Sequence, residues 1–262
     1  MAVAQVNGQS ITYEDSGGDG PAVLFSHGFL MDHTMFDAQV AALGDDYRCV
    51  RWDERGFGDT PATGPFSYWD SADDAVALLD HLNIESAVFV GMSQGGFLSL
   101  RAALAHPDRV RALALIDSQA GVDDAETLEG YRGMIAHWTS DEPLGDVGQF
   151  VAGLIIGEPE LSATWIDIWE SRRDDRRGQM VHAAGALLDR DDITERLGEI
   201  ACPVLSFHGD GDMAISMERA QAVQAGVADP RGLVTVPGGA HAPNMTHPEI
   251  VNPALVEFLA SL

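Results

Sequence analysis

The segment Val88-Phe89-Val90-Gly91-Met92-Ser93-Gln94-Gly95-Gly96-Phe97-Leu98 sets a serine among glycines, after an apolar run and before a helical one. Strand, sharp turn and helix follow one another, with Ser93 at the apex. Small residues on both sides suit such a turn, because its backbone is strained and the helix must pack close to the strand. The hydroxyl then stands at the positive end of a helix, where a developing anion is stabilised. A serine so placed becomes a nucleophile if a base takes its proton and an acid orients that base. His241, in Pro237-Gly238-Gly239-Ala240-His241, is the one histidine of nine in the final glycine-rich loop, and it is the candidate base. For the acid, the residues alone leave three aspartates just beyond strand-like runs: Asp117, Asp210 and Asp212. Asp210 with Asp212 lacks further ligands at suitable spacing, so no metal is expected.

These residues need a scaffold that brings distant loops to one edge. Val3–Val6 and Ser10–Glu14 flank Asn7-Gly8, a two-residue hairpin signal. Strand-like runs at Ala22–Phe25, Arg48–Trp52, Val88–Val90 and Val110–Ile116 alternate with helical segments, one from about Met35 to Leu43 and one capped by Ser71. Such alternation predicts a parallel sheet covered on both faces. It breaks down between about Gly121 and Gly198, a helical stretch carrying Trp138, Trp165 and Trp169 and the charged run Glu170–Arg177. That run reads as a solvated face with local ion pairs. Alternation resumes at Pro203–Phe207, a helix near Ser216–Ala225, Leu233–Val236 and a closing helix whose start signal is Asn252-Pro253. Ser93, the aspartates and His241 all fall just past strands, at the carboxyl edge where open α/β sheets place their sites.

Composition narrows the partners. Fifteen basic residues, every one arginine, face 41 acidic ones, for a net charge of −26. That field repels nucleic-acid phosphates and anionic membranes, so neither is an expected partner. No run approaches the ~20 apolar residues of a membrane span, and Met1–Gly8 has no secretory pattern. Cys49 and Cys202 read as two free thiols in apolar runs, which fits a cytoplasmic location.

The pieces His27-Gly28-Phe29, Asp53-x-Arg55-Gly56-x-Gly58, Gly91-x-Ser93-x-Gly95-Gly96, Gly209-x-x-Asp212 and Gly239-x-His241 occur in one order along nearly the whole chain. In this the chain resembles the α/β-hydrolase superfamily. The resemblance implies a mostly parallel eight-stranded sheet with helices on both faces and a helical cap inserted after strand six. Residues 1–120 and 199–262 would form the core and 121–198 the cap. It matches Ser93 to the nucleophile, His241 to the base and Asp212 to the acid, with Asp117 the alternative acid used by some members. Phe29 and Gln94 match the positions whose backbone N–H groups form the oxyanion hole, while Asp53-x-Arg55-Gly56 matches a structural motif. A serine at this place excludes the members that use aspartate there, the haloalkane dehalogenases and epoxide hydrolases.

The motifs are most similar to 3-oxoadipate enol-lactonases and small carboxylesterases. They imply a cofactor-free enzyme acting on a small, largely apolar ester or lactone through an acyl-enzyme. Perhydrolase or haloperoxidase chemistry, or carbon–carbon bond hydrolysis, would use the same three residues; a non-catalytic ligand-binding scaffold is the reading from another class. Leu30, Met134, Trp138 and Trp165 are the expected pocket residues, and Arg132 or Arg172 could hold an anionic substrate.

Overall fold

A computed structural model describes residues 1–262. Asn7 and Gly8, both at positive φ, make the tight turn between β1 (Ala2–Val6) and β2 (Gln9–Asp15). β3 (Ala22–Ser26), α1 (Asp37–Leu43), β4 (Arg48–Trp52), α2 (Tyr68–His81), β5 (Ala87–Met92), α3 (Gln94–Ala105) and β6 (Val110–Ile116) then alternate. Three helices follow in succession: α4 (Ala125–Trp138), α5 (Gly145–Ile155) and α6 (Pro159–Leu188). The chain closes with β7 (Pro203–Gly209), α7 (Met217–Gly226), β8 (Asp229–Val236), the short α8 (Pro243–Thr246) and α9 (Pro248–Ala260).

The eight strands form one sheet in the order β1-β2-β4-β3-β5-β6-β7-β8. Only β2 runs against its neighbours; every pairing from β4 to β8 is parallel. The order doubles back at β3, so β3, β5, β6 and β7 lie side by side with their carboxyl ends at one edge. β5 is buried along its whole length, as a strand covered on both faces must be. One core, under α2 and α3, holds Leu78, Leu100, Phe97 and Tyr68 on the face of Phe89 and Leu113. The other, under α1 and α9, holds Phe36, Leu255 and Phe258 on the face of Val90 and Ala114, and continues into Trp138, Trp165 and Trp169.

Two helix starts differ from expectation. Ser67, not Ser71, caps α2: its hydroxyl accepts the Asp70 N–H, and the Asp70 carboxylate accepts the Ser67 N–H. This reciprocal box satisfies two donors, which a lone serine at position 71 cannot, and Ser71 is buried one turn inside. The closing helix starts at Pro248, with Pro253 inside it. Pro253 comes six residues into the helix, and the start signal that wins is the proline at the first helical position, where the missing N–H costs nothing.

Candidate active site

Ser93 ends β5 and opens α3 with φ +51 and ψ −113, a conformation that costs on the order of 1–3 kcal/mol and survives only where its surroundings impose it. Here they do. The Ser93 N–H donates to the Ile116 carbonyl at 2.9 Å, and the Ser93 carbonyl accepts the N–H groups of Gly96 (2.9 Å) and Phe97 (3.1 Å) and the Ser118 hydroxyl (2.9 Å). Glycine is required at position 95, where a Cβ would lie 1.9 Å from the Ser26 carbonyl oxygen. The turn thus carries a serine hydroxyl at the first turn of a buried helix.

The loop after β3 faces it. His27 is fully buried; its Nε2 accepts the Glu54 N–H at 3.0 Å, so its proton sits on Nδ1 and goes to the Gly28 carbonyl at 2.8 Å. Burial holds its pKa below the ordinary histidine value, and it acts as a neutral brace. Phe57 packs edge-on against both His27 and Phe29, each at 5.3 Å between centroids. The Phe29 N–H has no acceptor in the chain, and Gln94 begins α3, where first-turn N–H groups lack helical partners. Leu30 stands at φ +67, unusual for a bulky side chain, and its carbonyl accepts the Trp169 indole N–H at 2.8 Å.

His241 and Asp212 meet across the loops after β8 and β7. His241 Nδ1 is 2.8 Å from Asp212 Oδ2, and Asp212 Oδ1 accepts the N–H groups of Ala214 (2.8 Å) and Ile215 (3.2 Å). Burial disfavours the Asp212 charge, but the charge and hydrogen bond of His241 outweigh it, with help from the Ala214 N–H, and hold the carboxyl below its usual range. Asp117, beyond β6, lies beside this pair without bonding to His241; its Oδ1 accepts the Gly209 N–H at 3.0 Å. Asp210 points elsewhere and caps the Gly238 N–H at 2.7 Å.

Ser93 and His241 both line a cavity of about 310 Å³ with Phe29, Leu30 and Met134, and 14 of its 20 lining residues are apolar. Leu154, Ile155 and Leu187 give it an apolar wall, and the exposed Phe150 and Met213 stand at its mouth. Trp138 and Trp165 are not part of it, which corrects the expected pocket. Both are buried against Trp169, at 5.3 and 6.3 Å between ring centroids, and form the seam between α4 and α6. The physical reason is their helix faces: the positions that meet another helix go to packing, while Met134, one turn before Trp138, reaches the cavity.

The arginine run is also more than a solvated face. Arg173 is buried and donates to the carbonyls of Trp138 (2.8 Å), Ser140 (2.7 Å) and Glu142, closing the end of α4. Arg172 is held by Asp32 at 2.5 Å, and Arg132 pairs with Glu129 on the surface, so neither reaches the cavity. Its polar end is instead Gln119, Asp123, Thr127 and Tyr131. Asp123 is tied to Arg190 at 2.7 Å and to Gln119 at 2.9 Å. No sequence signal pointed to Asp123 or Ser118, because each acts on a partner distant in the chain, Arg190 and Ser93, and nothing in the sequence ties Trp169 to the Leu30 carbonyl.

Asp32, His33 and Asp53 form the one other cluster with metal-ligand atoms. Its groups are committed to the chain: Asp53 accepts both the backbone N–H (2.9 Å) and Nδ1 (2.7 Å) of His33 and the Asp59 N–H (2.9 Å), and Asp32 takes Thr34 and Arg172. It is a polar brace beside the loop after β3. No helix is long and apolar enough to cross a membrane.

A serine on a strained strand-to-helix turn, with a histidine–aspartate pair on later loops of the same sheet edge, defines the α/β-hydrolase class of site. Residues 21–248 match the family model described as the alpha/beta hydrolase fold, and the chain belongs to that family. Similar proteins include a putative carbamate hydrolase, RutD, of Agrobacterium fabrum, 30% identical over 92% of this chain and 94% of its own. A 3-oxoadipate enol-lactonase of Acinetobacter baylyi is 26% identical over 90% of this chain and 88% of its own. Among solved structures, a thermophilic esterase from Thermogutta terrifontis superposes with a TM-score of 0.87 at 27% identity, covering 99% of this chain and 98% of the other.

Proposed function

We propose that this chain is a serine hydrolase that cleaves a small, neutral and largely apolar carboxylic ester or lactone. The observation that carries this reading is the 2.8 Å bond between His241 and Asp212, in a cavity that Ser93 also lines. Asp212 holds the imidazole with its proton on Nδ1, which leaves Nε2 free to take the Ser93 proton as Oγ attacks the acyl carbon. The oxyanion that forms is met by the N–H groups of Phe29 and Gln94, fixed donors in a buried site, each worth about 3–4 kcal/mol in the transition state. His241 then returns the proton to the leaving oxygen, and water resolves the acyl-enzyme by the same steps in reverse. Carbamate, lactone and ester, the groups in the names of the similar proteins, share an sp² acyl carbon, which supports acyl transfer as the reaction class.

The cavity lining supports a neutral substrate. It includes no arginine, and its one carboxylate, Asp123, is already paired with Arg190, so the lining offers no free cation to an acid group. This argues against an anionic enol-lactone as the preferred substrate. We take residues 121–198 as a cap that supplies the apolar wall through α4, α5 and the end of α6. The test is a fluorophosphonate probe with peptide mapping, joined to a panel of neutral esters and lactones. Labelling of Ser93 and loss of about 10⁶ in kcat in Ser93→Ala are expected; labelling elsewhere, or an active variant, would falsify the assignment.

A further inference from the structure

We propose that Asp117 keeps its proton and donates it in a hydrogen bond to Asp212, acting as a positioning residue for the acid of the site. The inference rests on the reading of Asp212 and His241 as acid and base, and adds to it a second buried carboxyl that the chemistry itself does not use.

The argument begins with where the two aspartates stand. Asp117 follows β6 and Asp212 follows the neighbouring β7, whose ends pair as Ile116 with Phe207. Carboxyl oxygens of both and a ring nitrogen of His241 lie within 4.8 Å of one another. The Asp117 side chain is fully buried, at φ +44, a conformation its backbone keeps through an N–H bond to the Phe207 carbonyl at 2.9 Å. Its Oδ1 takes the Gly209 N–H, and its Oδ2 is buried with no donor directed at it. Aspartate tolerates this left-handed backbone better than most residues do, and strain of this kind gathers at functional sites.

An inventory of protons then decides the state of the pair. Two carboxylates this close in a buried site cannot both ionise. Asp212 receives three N–H donors, from Ala214, Ile215 and His241, whereas Asp117 receives one. The charge settles on the oxygen atoms with more donors, so the proton stays on Asp117. Besides Asp212 and His241, which holds its bond to Asp212, the titratable group that faces Asp117 is His208, whose Nδ1 is 3.5 Å from Asp117 Oδ1. His208 cannot supply the missing donor. Its Nε2 proton goes to the Ile215 carbonyl at 3.0 Å, and burial keeps it neutral by pulling its pKa down, so Nδ1 carries no hydrogen. Burial first, and the Asp212 charge second, push the Asp117 carboxyl well above the ordinary carboxylate range, in line with the inventory. The result is a carboxylate at Asp212 fixed from both sides: His241 on one oxygen, backbone N–H groups on the other, and the Asp117 O–H filling the remaining site.

Asparagine can make the same contacts. Its amide N–H₂ donates to Asp212 while its oxygen accepts the Gly209 N–H, and like the protonated acid it is uncharged. Leucine fills the space but offers no donor. The experiment compares Asp117→Asn and Asp117→Leu with wild type in kcat and in the pH at which activity is half lost on the acid side. It also records the infrared difference spectrum of Ser93→Ala against Ser93→Ala/Asp117→Asn at neutral pH. Expected are a protonated-carboxyl C=O band that the asparagine removes, an acid-side midpoint unchanged in Asp117→Asn, and a fall in kcat of roughly 10-fold or more in Asp117→Leu.

If Asp117 were instead an anion, removing a charge within 4.8 Å of the histidine would lower that midpoint by more than about one pH unit. Such a shift, or a missing band, overturns the proposal even if Asp117→Leu fails to fold. An active Ser93→Ala protein would overturn the underlying reading and the role of Asp117 with it, whatever the infrared band. A missing band in a protein that Ser93→Ala inactivates overturns the proton assignment alone.

Discussion

Removing the one hydrogen bond from the α6 indole to the loop after β3 should damage catalysis. Trp169, in α6, donates its indole N–H to the Leu30 carbonyl at 2.8 Å, and both groups are buried. Leu30 follows Phe29, the candidate oxyanion donor, and its φ of +67 is a conformation the loop must be held in. Trp169→Phe keeps most of the aromatic packing but leaves the Leu30 carbonyl without its donor, at a cost of about 1–3 kcal/mol. At a factor of ten per 1.4 kcal/mol, the loop equilibrium moves against the competent state by roughly 5- to 150-fold. An upper bound comes from losing one oxyanion donor outright, about 10²–10³ in kcat. A fall of about 5- to 100-fold in kcat is therefore expected, with much less change in KM, because the donor acts on the oxyanion rather than on bound ester.

The assay is steady-state hydrolysis of a short neutral aryl ester, with near-ultraviolet circular dichroism to establish that the variant is folded. Trp165→Phe is the control: it sits in the same cluster, 6.3 Å from Trp169 between centroids, and bonds to no part of the loop. Wild-type kcat in a folded Trp169→Phe protein would refute the reasoning, as would an equal loss in both variants.

Asp212→Asn should lower kcat by about 10⁴, because an amide lets the imidazole take the wrong tautomer, and steady-state kinetics beside Asp117→Asn reads the difference. Glu54 is buried, neither carboxyl oxygen has a partner, and burial followed by the Asp74 charge raises its pKa well above 4.5. The folded state thus binds this proton more tightly than the unfolded chain, so its contribution is present below the unfolded value and is lost as pH rises toward the folded one. Urea midpoints should accordingly fall less between pH 5 and 8 in Glu54→Gln than in wild type; parallel curves would rule the idea out. For neutral esters each added methylene should improve binding by ~0.8 kcal/mol until the cavity is filled, which a chain-length series measures. For an anionic ester of equal size kcat/KM should rise with salt, since a net charge of −26 opposes its approach; a rate that salt lowers would point to a cation the cavity lining lacks.

The parts of this molecule that were legible in the sequence are those whose physics is local. The turn around Ser93 needs glycine because Ser26 approaches its backbone, and that requirement is written within five residues. Alternating strands and helices announced the parallel sheet for the same reason, and with the sheet came the edge on which Asp212 and His241 meet. The helical stretch from α4 to α6 gave no such help. A tryptophan four residues from another tells that the two share a helix face, but not whether that face meets a cavity or a second helix. Trp138 and Trp165 took the second course because α4 and α6 close on each other around Trp169.

Aspartate 117 presents the same difficulty in another form. Its residue type and place past a strand made it a rival for the acid, which is what a sequence can say about a lone carboxyl. What separates the two aspartates is the number of N–H donors aimed at each, and those come from Gly209 on one side and from Ala214, Ile215 and His241 on the other. Charge at a buried site is thus set by loops that only the folded sheet brings together. Two carboxyls of identical chemistry can then take opposite protonation states a few ångströms apart, one as the anion that orients the base and one as the acid that steadies it.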